Sequence, residues 1–162
     1  MKRVMTFGLA AALSVASFAT FAAEEAAPPS PEQVAKSAIE TRQGLFKVMA
    51  ATFGPVGGML RNRVPFDAAV VEKNAGRVEV LAGMIPELYL NDTRKAGAGV
   101  KTGALDGIWT GQADFKAKAD DLGKAANALV AAAKSGDKAK TLAAAGAVGK
   151  ACGSCHDSYR AK

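Results

Sequence analysis

Near the C-terminus the sequence reads Cys152-Gly153-Ser154-Cys155-His156, which gathers both cysteines and the single histidine of the chain. Two thiols one helical turn apart can reach the two vinyl groups on one side of a porphyrin and close thioether bonds to them. A histidine directly after the second cysteine then brings its imidazole under the ring, where a nitrogen coordinates iron. Gly153 and Ser154 are small and do not obstruct the porphyrin edge. The Cys-x-x-Cys-His spacing therefore points to one covalently attached haem c, anchored by Cys152 and Cys155, with His156 as the metal ligand.

Three other chemistries compete for these residues. A thioredoxin-like dithiol also uses Cys-x-x-Cys, but at a helix start within an α/β fold. A structural zinc site needs four ligands, and only three thiol or imidazole ligands exist here. A plain disulfide between Cys152 and Cys155 asks nothing of the rest of the chain. Thioether attachment takes place outside the cytoplasm, so an export signal would add to the case for haem.

The chain opens with that signal. Lys2 and Arg3 precede an apolar run to Ala22, with no acidic residue before Glu24. A basic start, a short apolar middle and a small-residue end describe a secretory signal peptide over residues 1–22, leaving a mature chain of residues 23–162. The alternative is a membrane anchor, since the run is about as long as a span needs; it is, however, rich in Ala, Ser and Thr and ends without a basic stop. No later run is as long, so the mature protein is expected to be soluble, free of the membrane and periplasmic. The 162 residues, 49% hydrophobic and 22% charged, suit one domain with a core and exclude a disordered or collagen-like chain. Removing Lys2 and Arg3 lowers the formal charge from +6 to +4. Basic and acidic residues are interleaved, so the charge gives no case for nucleic acid.

Hydrophobic spacing supplies the elements that must position the motif. Ser30-Pro31-Glu32-Gln33 reads as a helix start, with Ser30 as N-cap, Pro31 in the first turn and Gln33 closing a capping box. Ala35, Ala38, Arg42, Leu45, Met49 and Thr52 follow 3–4 spacing, and Gly54-Pro55 with Gly57-Gly58 should end or kink this helix. A second helix opens at Pro65-Phe66-Asp67, carries Val71, Ala75, Val78, Ala82 and Ile85 on one stripe, and is punctuated by Pro86. Residues 91–103 read as a loop. A third helix is expected from Leu105 to Lys134, with Ile108, Gln112, Phe115, Ala119, Leu122, Ala126, Leu129 and Ala133 in register. Ser135-Gly136-Asp137 breaks it, and Asp137 caps a fourth helix with Leu142, Ala145, Gly149, Cys152, His156 and Tyr159 on one face. No segment alternates with period two. The expected fold is all-α, an antiparallel four-helix bundle with haem near the C-terminal helix.

The closing segment, Cys152 to Arg160, resembles that of the cytochrome c′ family. So does the first helix, in Thr41-Arg42-Gln43-Gly44-Leu45-Phe46-Lys47-Val48-Met49 and Phe53-Gly54-Pro55, and the third, in Ile108-Trp109 and Asp114-Phe115-Lys116. The resemblance spans the mature chain and implies several roles. Arg42 corresponds to an arginine that meets a haem propionate, and Gln43 beside it joins the cofactor-binding set. Arg160 matches a basic residue near the proximal imidazole, and Trp109 is set either near the haem or as a plug of the bundle. The residue over the iron lies four positions after the arginine, at Phe46. Gas-binding members carry Leu or Phe there, and low-spin members carry Met.

An aryl ring has no lone pair for iron, so Phe46 is expected to cover the metal without coordinating it. A dry distal face gives bound dioxygen no hydrogen-bond donor and imposes desolvation on anions. Nitric oxide and carbon monoxide, being neutral, are the expected small ligands, carbon monoxide slow or weak. The resemblance also implies that nitric oxide can displace His156. The reading is a periplasmic five-coordinate haem protein that binds gases and carries electrons, not an enzyme, forming a homodimer and serving an unidentified redox partner. The alternative is a six-coordinate, low-spin electron carrier of the same bundle with Met49 as ligand. A third reading is a haem-free helical interaction protein with a terminal disulfide.

Overall fold

The computed structural model describes residues 27–96 and 99–162. The expected signal peptide, residues 1–22, lies outside the described residues. Five helices follow one another: α1 (Pro31–Leu60), α2 (Ala68–Leu88), α3 (Gly107–Thr110), α4 (Gln112–Lys134) and α5 (Lys138–Tyr159). The four long ones form the expected bundle, and among the described residues there is no strand. The starts of α1, α2 and α5 carry the capping side chains that their sequences promise. Ser30 Oγ accepts from the Gln33 backbone while the Gln33 side chain accepts from the Ser30 N–H at 2.7 Å. Asp67 and Asp137 accept from the third residue of α2 and α5, Val70 and Lys140, each at 3.0 Å.

Two boundaries differ from expectation. Of the end or kink expected at Gly54-Pro55, the end does not occur, since α1 continues through Pro55 to Leu60. Pro55 removes one ladder donor, but Ala51, Gly54 and Pro55 face solvent, so water satisfies the freed carbonyl. The helix expected over Leu105–Lys134 is divided, because Gly111 leaves helical geometry at φ −127° and ψ 41°. A Cβ at Gly111 would stand 3.1 Å from the Gly107 carbonyl oxygen and 3.6 Å from the Tyr159 hydroxyl. The tight contact is the one within the turn itself, where a Cβ would crowd the Gly107 carbonyl, whereas Tyr159 of α5 stands at ordinary contact distance.

The core is a continuous cluster from all four long helices, with Val56, Val71, Ala126, Leu129 and Val148 fully buried. Burying a side chain the size of Leu129 or Val148 is worth ~1.5–3 kcal/mol. The α2 and α4 stripes are buried as spaced, Gln112 excepted. On α1, Ile39 takes the buried place expected of Ala38. On α5 the stripe is rotated: Thr141 and Val148 are buried, while Gly149 is exposed and Leu142 half-buried. Alanine-rich faces bring α2 onto α4 and α4 onto α5, whereas α1 and α5 stand apart. That gap positions the site.

Candidate functional site

Between α1, α5 and the loop before α3 lies a cavity of about 580 Å³, within the usual range for small-molecule and cofactor sites. Cys152, Cys155 and His156 line it from α5, and Arg42, Gln43, Phe46 and Met49 from α1. Residues more than a hundred positions apart in sequence thus face one space. Its walls are largely hydrocarbon, completed by Ile39, Phe53, Ile85, Phe115 and Leu122.

Both cysteines are free, half-buried thiols. Burial pushes both up from the ordinary thiol value, and for Cys155 the nearby Lys118 ammonium offsets part of that effect. They are therefore protonated at neutral pH, unlike the activated thiolate of a redox dithiol. His156 is shifted the other way, first by burial and then by the Arg160 guanidinium, against the attraction of Asp157. A neutral imidazole is the form that donates a lone pair to a metal.

Arg42 is buried at 3% exposure, and three of its five guanidinium N–H donors are engaged. It donates to the Leu88 carbonyl (2.8 Å), the Asn91 carbonyl (2.6 Å) and Thr93 Oγ1 (2.8 Å). The same group lies 4.6 Å from the centroid of Tyr89 and 5.6 Å from that of Trp109. Arg42 thereby clamps α1 to the segment after α2, yet among the described residues it pairs with no carboxylate. A buried cation without a counter-ion, on the wall of an apolar cavity, suits an anionic group of a ligand. Gln43 also has a structural duty, donating from Nε2 to the Lys101 carbonyl at 2.8 Å.

Trp109 does not line the cavity. It sits behind the wall, donating its indole N–H to the Asn91 carbonyl at 3.2 Å and packing on Tyr89 with centroids 5.9 Å apart. The Arg94 guanidinium stacks on it at 5.4 Å, itself held by Asp92 at 2.6 Å. Arg160 does line the cavity, and its backbone ends α5 by bridging to Ala104. Phe46 and Met49 both line it from α1.

Three further side chains shape the cavity without having been assigned to it. Tyr89 is 7% exposed and lines the cavity, wedged edge-on to Phe115 at 5.0 Å. Tyr159 stacks edge-on to the other side of Phe115 at 5.2 Å and donates its hydroxyl to Asp114 Oδ2 at 2.7 Å. Lys118 lines the cavity and donates to Ser154 Oγ at 3.1 Å. Of these, only Tyr159 and Asp114 carried a local signal, from stripe position and family resemblance respectively.

The donor set matches the haem chemistry proposed for the motif. Two thiols and an imidazole share one wall, hydrocarbon surrounds them, and uncompensated positive charge stands where carboxylates could be received. Among the described residues no cluster of three His, Cys, Asp or Glu side chains converges as a metal cage.

Comparison with known proteins agrees. The family model described as Cytochrome C' matches residues 37–160. The chain is 39% identical over 125 residues to cytochrome c' of Rubrivivax gelatinosus, covering 77% of this chain and 95% of that protein. Cytochrome c prime from Shewanella frigidimarina superposes with a TM-score of 0.71 at 38% identity, over 79% of this chain and 97% of that one. The nitric oxide complex of a mutant cytochrome c prime from Alcaligenes xylosoxidans superposes with a TM-score of 0.66 at 31% identity, over 82% and 98%. The chain belongs to the cytochrome c′ family, whose members carry covalently attached haem c.

Proposed function

We propose that this chain is an exported, periplasmic haem protein that binds nitric oxide and carbon monoxide and exchanges single electrons. It traps or relays nitric oxide and performs no enzymatic turnover of its own. One observation carries the reading: Phe46 lines the wall that faces Cys152, Cys155 and His156 across a hydrocarbon cavity. Cys152 and Cys155 would hold the haem through thioethers and His156 would ligate its iron, with Arg42 and Gln43 beside its carboxylates. When bound, the haem would supply an iron that can take up neutral diatomic gases. The chain's own residues select what arrives there. Phe46 and Phe53 exclude water and offer no hydrogen bond, so anions meet a desolvation barrier that neutral gases avoid. The nitric oxide complex of the Alcaligenes xylosoxidans relative supports this ligand class.

Among the described residues no helix is long and apolar enough to cross a membrane, in keeping with release after signal removal. Val48 on α1 and Val80 on α2 are 54% and 61% exposed and flank a shared groove. We assign this face to the homodimer contact. A second reading has one specific support, since Met49 is the sole thioether among the cavity-lining residues. As an axial ligand it would make a low-spin electron carrier.

The optical spectrum of reduced, haem-loaded protein with and without carbon monoxide decides between them. The expected result is a high-spin spectrum that shifts with gas. A low-spin, gas-indifferent spectrum would establish the Met49 reading, and a protein without Soret absorption would remove both.

A further inference from the structure

The cavity wall is electrically one-sided. Five cationic side chains line it, Arg42, Lys47 and Arg61 from the α1 side, Lys118 from α4 and Arg160 from the end of α5, and no aspartate or glutamate does. Two of the five are already committed. Arg42 is buried in its clamp, and Lys118 is bonded to Ser154 with Asp114 at 4.0 Å. Lys47, Arg61 and Arg160 are exposed and, among the described residues, form no salt bridge. Lys101, next to the lining residue Thr102, is exposed as well and, among the described residues, forms no salt bridge. Asp157, beside His156, offsets only part of this charge. Three exposed lysines of α4 and α5 outside the cavity do have carboxylate partners, in the pairs Lys116–Asp120, Lys124–Asp121 and Lys140–Asp137. The carboxylates of a haem would meet Arg42 and Gln43 and leave the cations of the rim uncompensated.

We propose that the mouth of this cavity is the docking face for an acidic electron-transfer protein, steered and oriented by Lys47, Arg61 and Arg160. The proposal rests on the haem reading above and supplies the partner chemistry which that reading leaves open. Unpaired cations around a low-dielectric opening focus a field that accelerates encounter with an anionic surface and holds it over the opening. The partner gives up one electron to the haem iron, or takes one from it; no bond forms or breaks. An acidic protein fits better than a small anion, because the exposed cations rim the opening while the interior is hydrocarbon and repels unpaired charge.

The test uses the haem-loaded full chain and reduced flavodoxin, a small acidic one-electron donor. The bimolecular rate of reduction is expected to fall on the order of tenfold as salt rises from about 0.01 M to about 0.3 M. The double variant Lys47→Glu/Arg61→Glu should lose a similar factor at low salt, and Lys47→Arg/Arg61→Lys should retain the wild-type rate. An uncharged small reductant should act equally on all three proteins. Independently, amide shifts on adding oxidised flavodoxin should cluster around residues 47, 61, 101 and 160. Rates indifferent to salt and to charge reversal would overturn the proposal, as would shifts confined to the α2–α4 face. Absence of Soret absorption is a separate result that fails the haem reading itself.

Discussion

Replacing Arg42 by methionine should loosen the segment that follows α2 and destabilise the whole bundle. The guanidinium satisfies the Leu88 and Asn91 carbonyls and Thr93 Oγ1 from a site only 3% exposed. Hydrogen bonds from a charged donor contribute roughly 1.5–3 kcal/mol each, and buried acceptors left unmet cost ~1–3 kcal/mol apiece. The methionine recovers the packing of the aliphatic stem and removes the cost of a buried cation, which lowers the total. A net loss of about 4 kcal/mol follows, a large part of the ~5–15 kcal/mol that holds a typical domain. For a chain of this size that corresponds to a fall of roughly 8–16 °C in melting temperature. Thermal unfolding followed by far-ultraviolet circular dichroism measures it. Thr93→Val isolates one of the three bonds and should cost ~1–2 kcal/mol. In Arg42→Met the Thr93→Val change should cost much less, because the partner is already gone. A loss below about 1 kcal/mol for Arg42→Met, or additive losses in the pair, would refute the clamp.

Phe46→Ala should speed carbon monoxide association on the order of tenfold, the equivalent of ~1.4 kcal/mol of steric barrier; flash photolysis reads it, and an unchanged rate would take Phe46 off the ligand path. Met49→Leu conserves volume, so it should leave the ferric spectrum unaltered and cost under ~1.5 kcal/mol, whereas a low-spin spectrum turning high-spin would identify Met49 as a ligand. The Tyr159 phenol is pushed up to about 12, foremost by its hydrogen bond to Asp114 and then by burial. Its stabilising contribution is therefore fully present below the ordinary value of 10.0 and is lost as pH rises through about 12. Asp114→Asn should bring the phenolate absorbance midpoint back towards 10.0, and a midpoint that stays near 12 would show that the carboxylate is not the cause.

The chain's local chemistry decided a good deal by itself. A serine followed three positions later by glutamine, or an aspartate before an apolar repeat, satisfies helix-end donors in cis, so the starts at Pro31, Ala68 and Lys138 needed no distant partner. The 3–4 repeat likewise fixed which faces of α2 and α4 are buried, and three adjacent ligand-type residues on one turn named the cofactor. Tertiary contacts decided the rest. Pro55 sits within a helix because solvent lies against that turn. Resemblance to the family marked Arg42 as a cofactor-site residue but could not show that it also bonds Leu88, Asn91 and Thr93. Trp109 went behind the wall instead of onto it, and Tyr89, unremarked in any motif, came to line the cavity. Helix caps and amphipathic faces are set within a few residues, where chain connectivity enforces proximity. Clamps, close approaches and cavity walls join residues some fifty to a hundred positions apart, and only the packing of one helix on another brings those together.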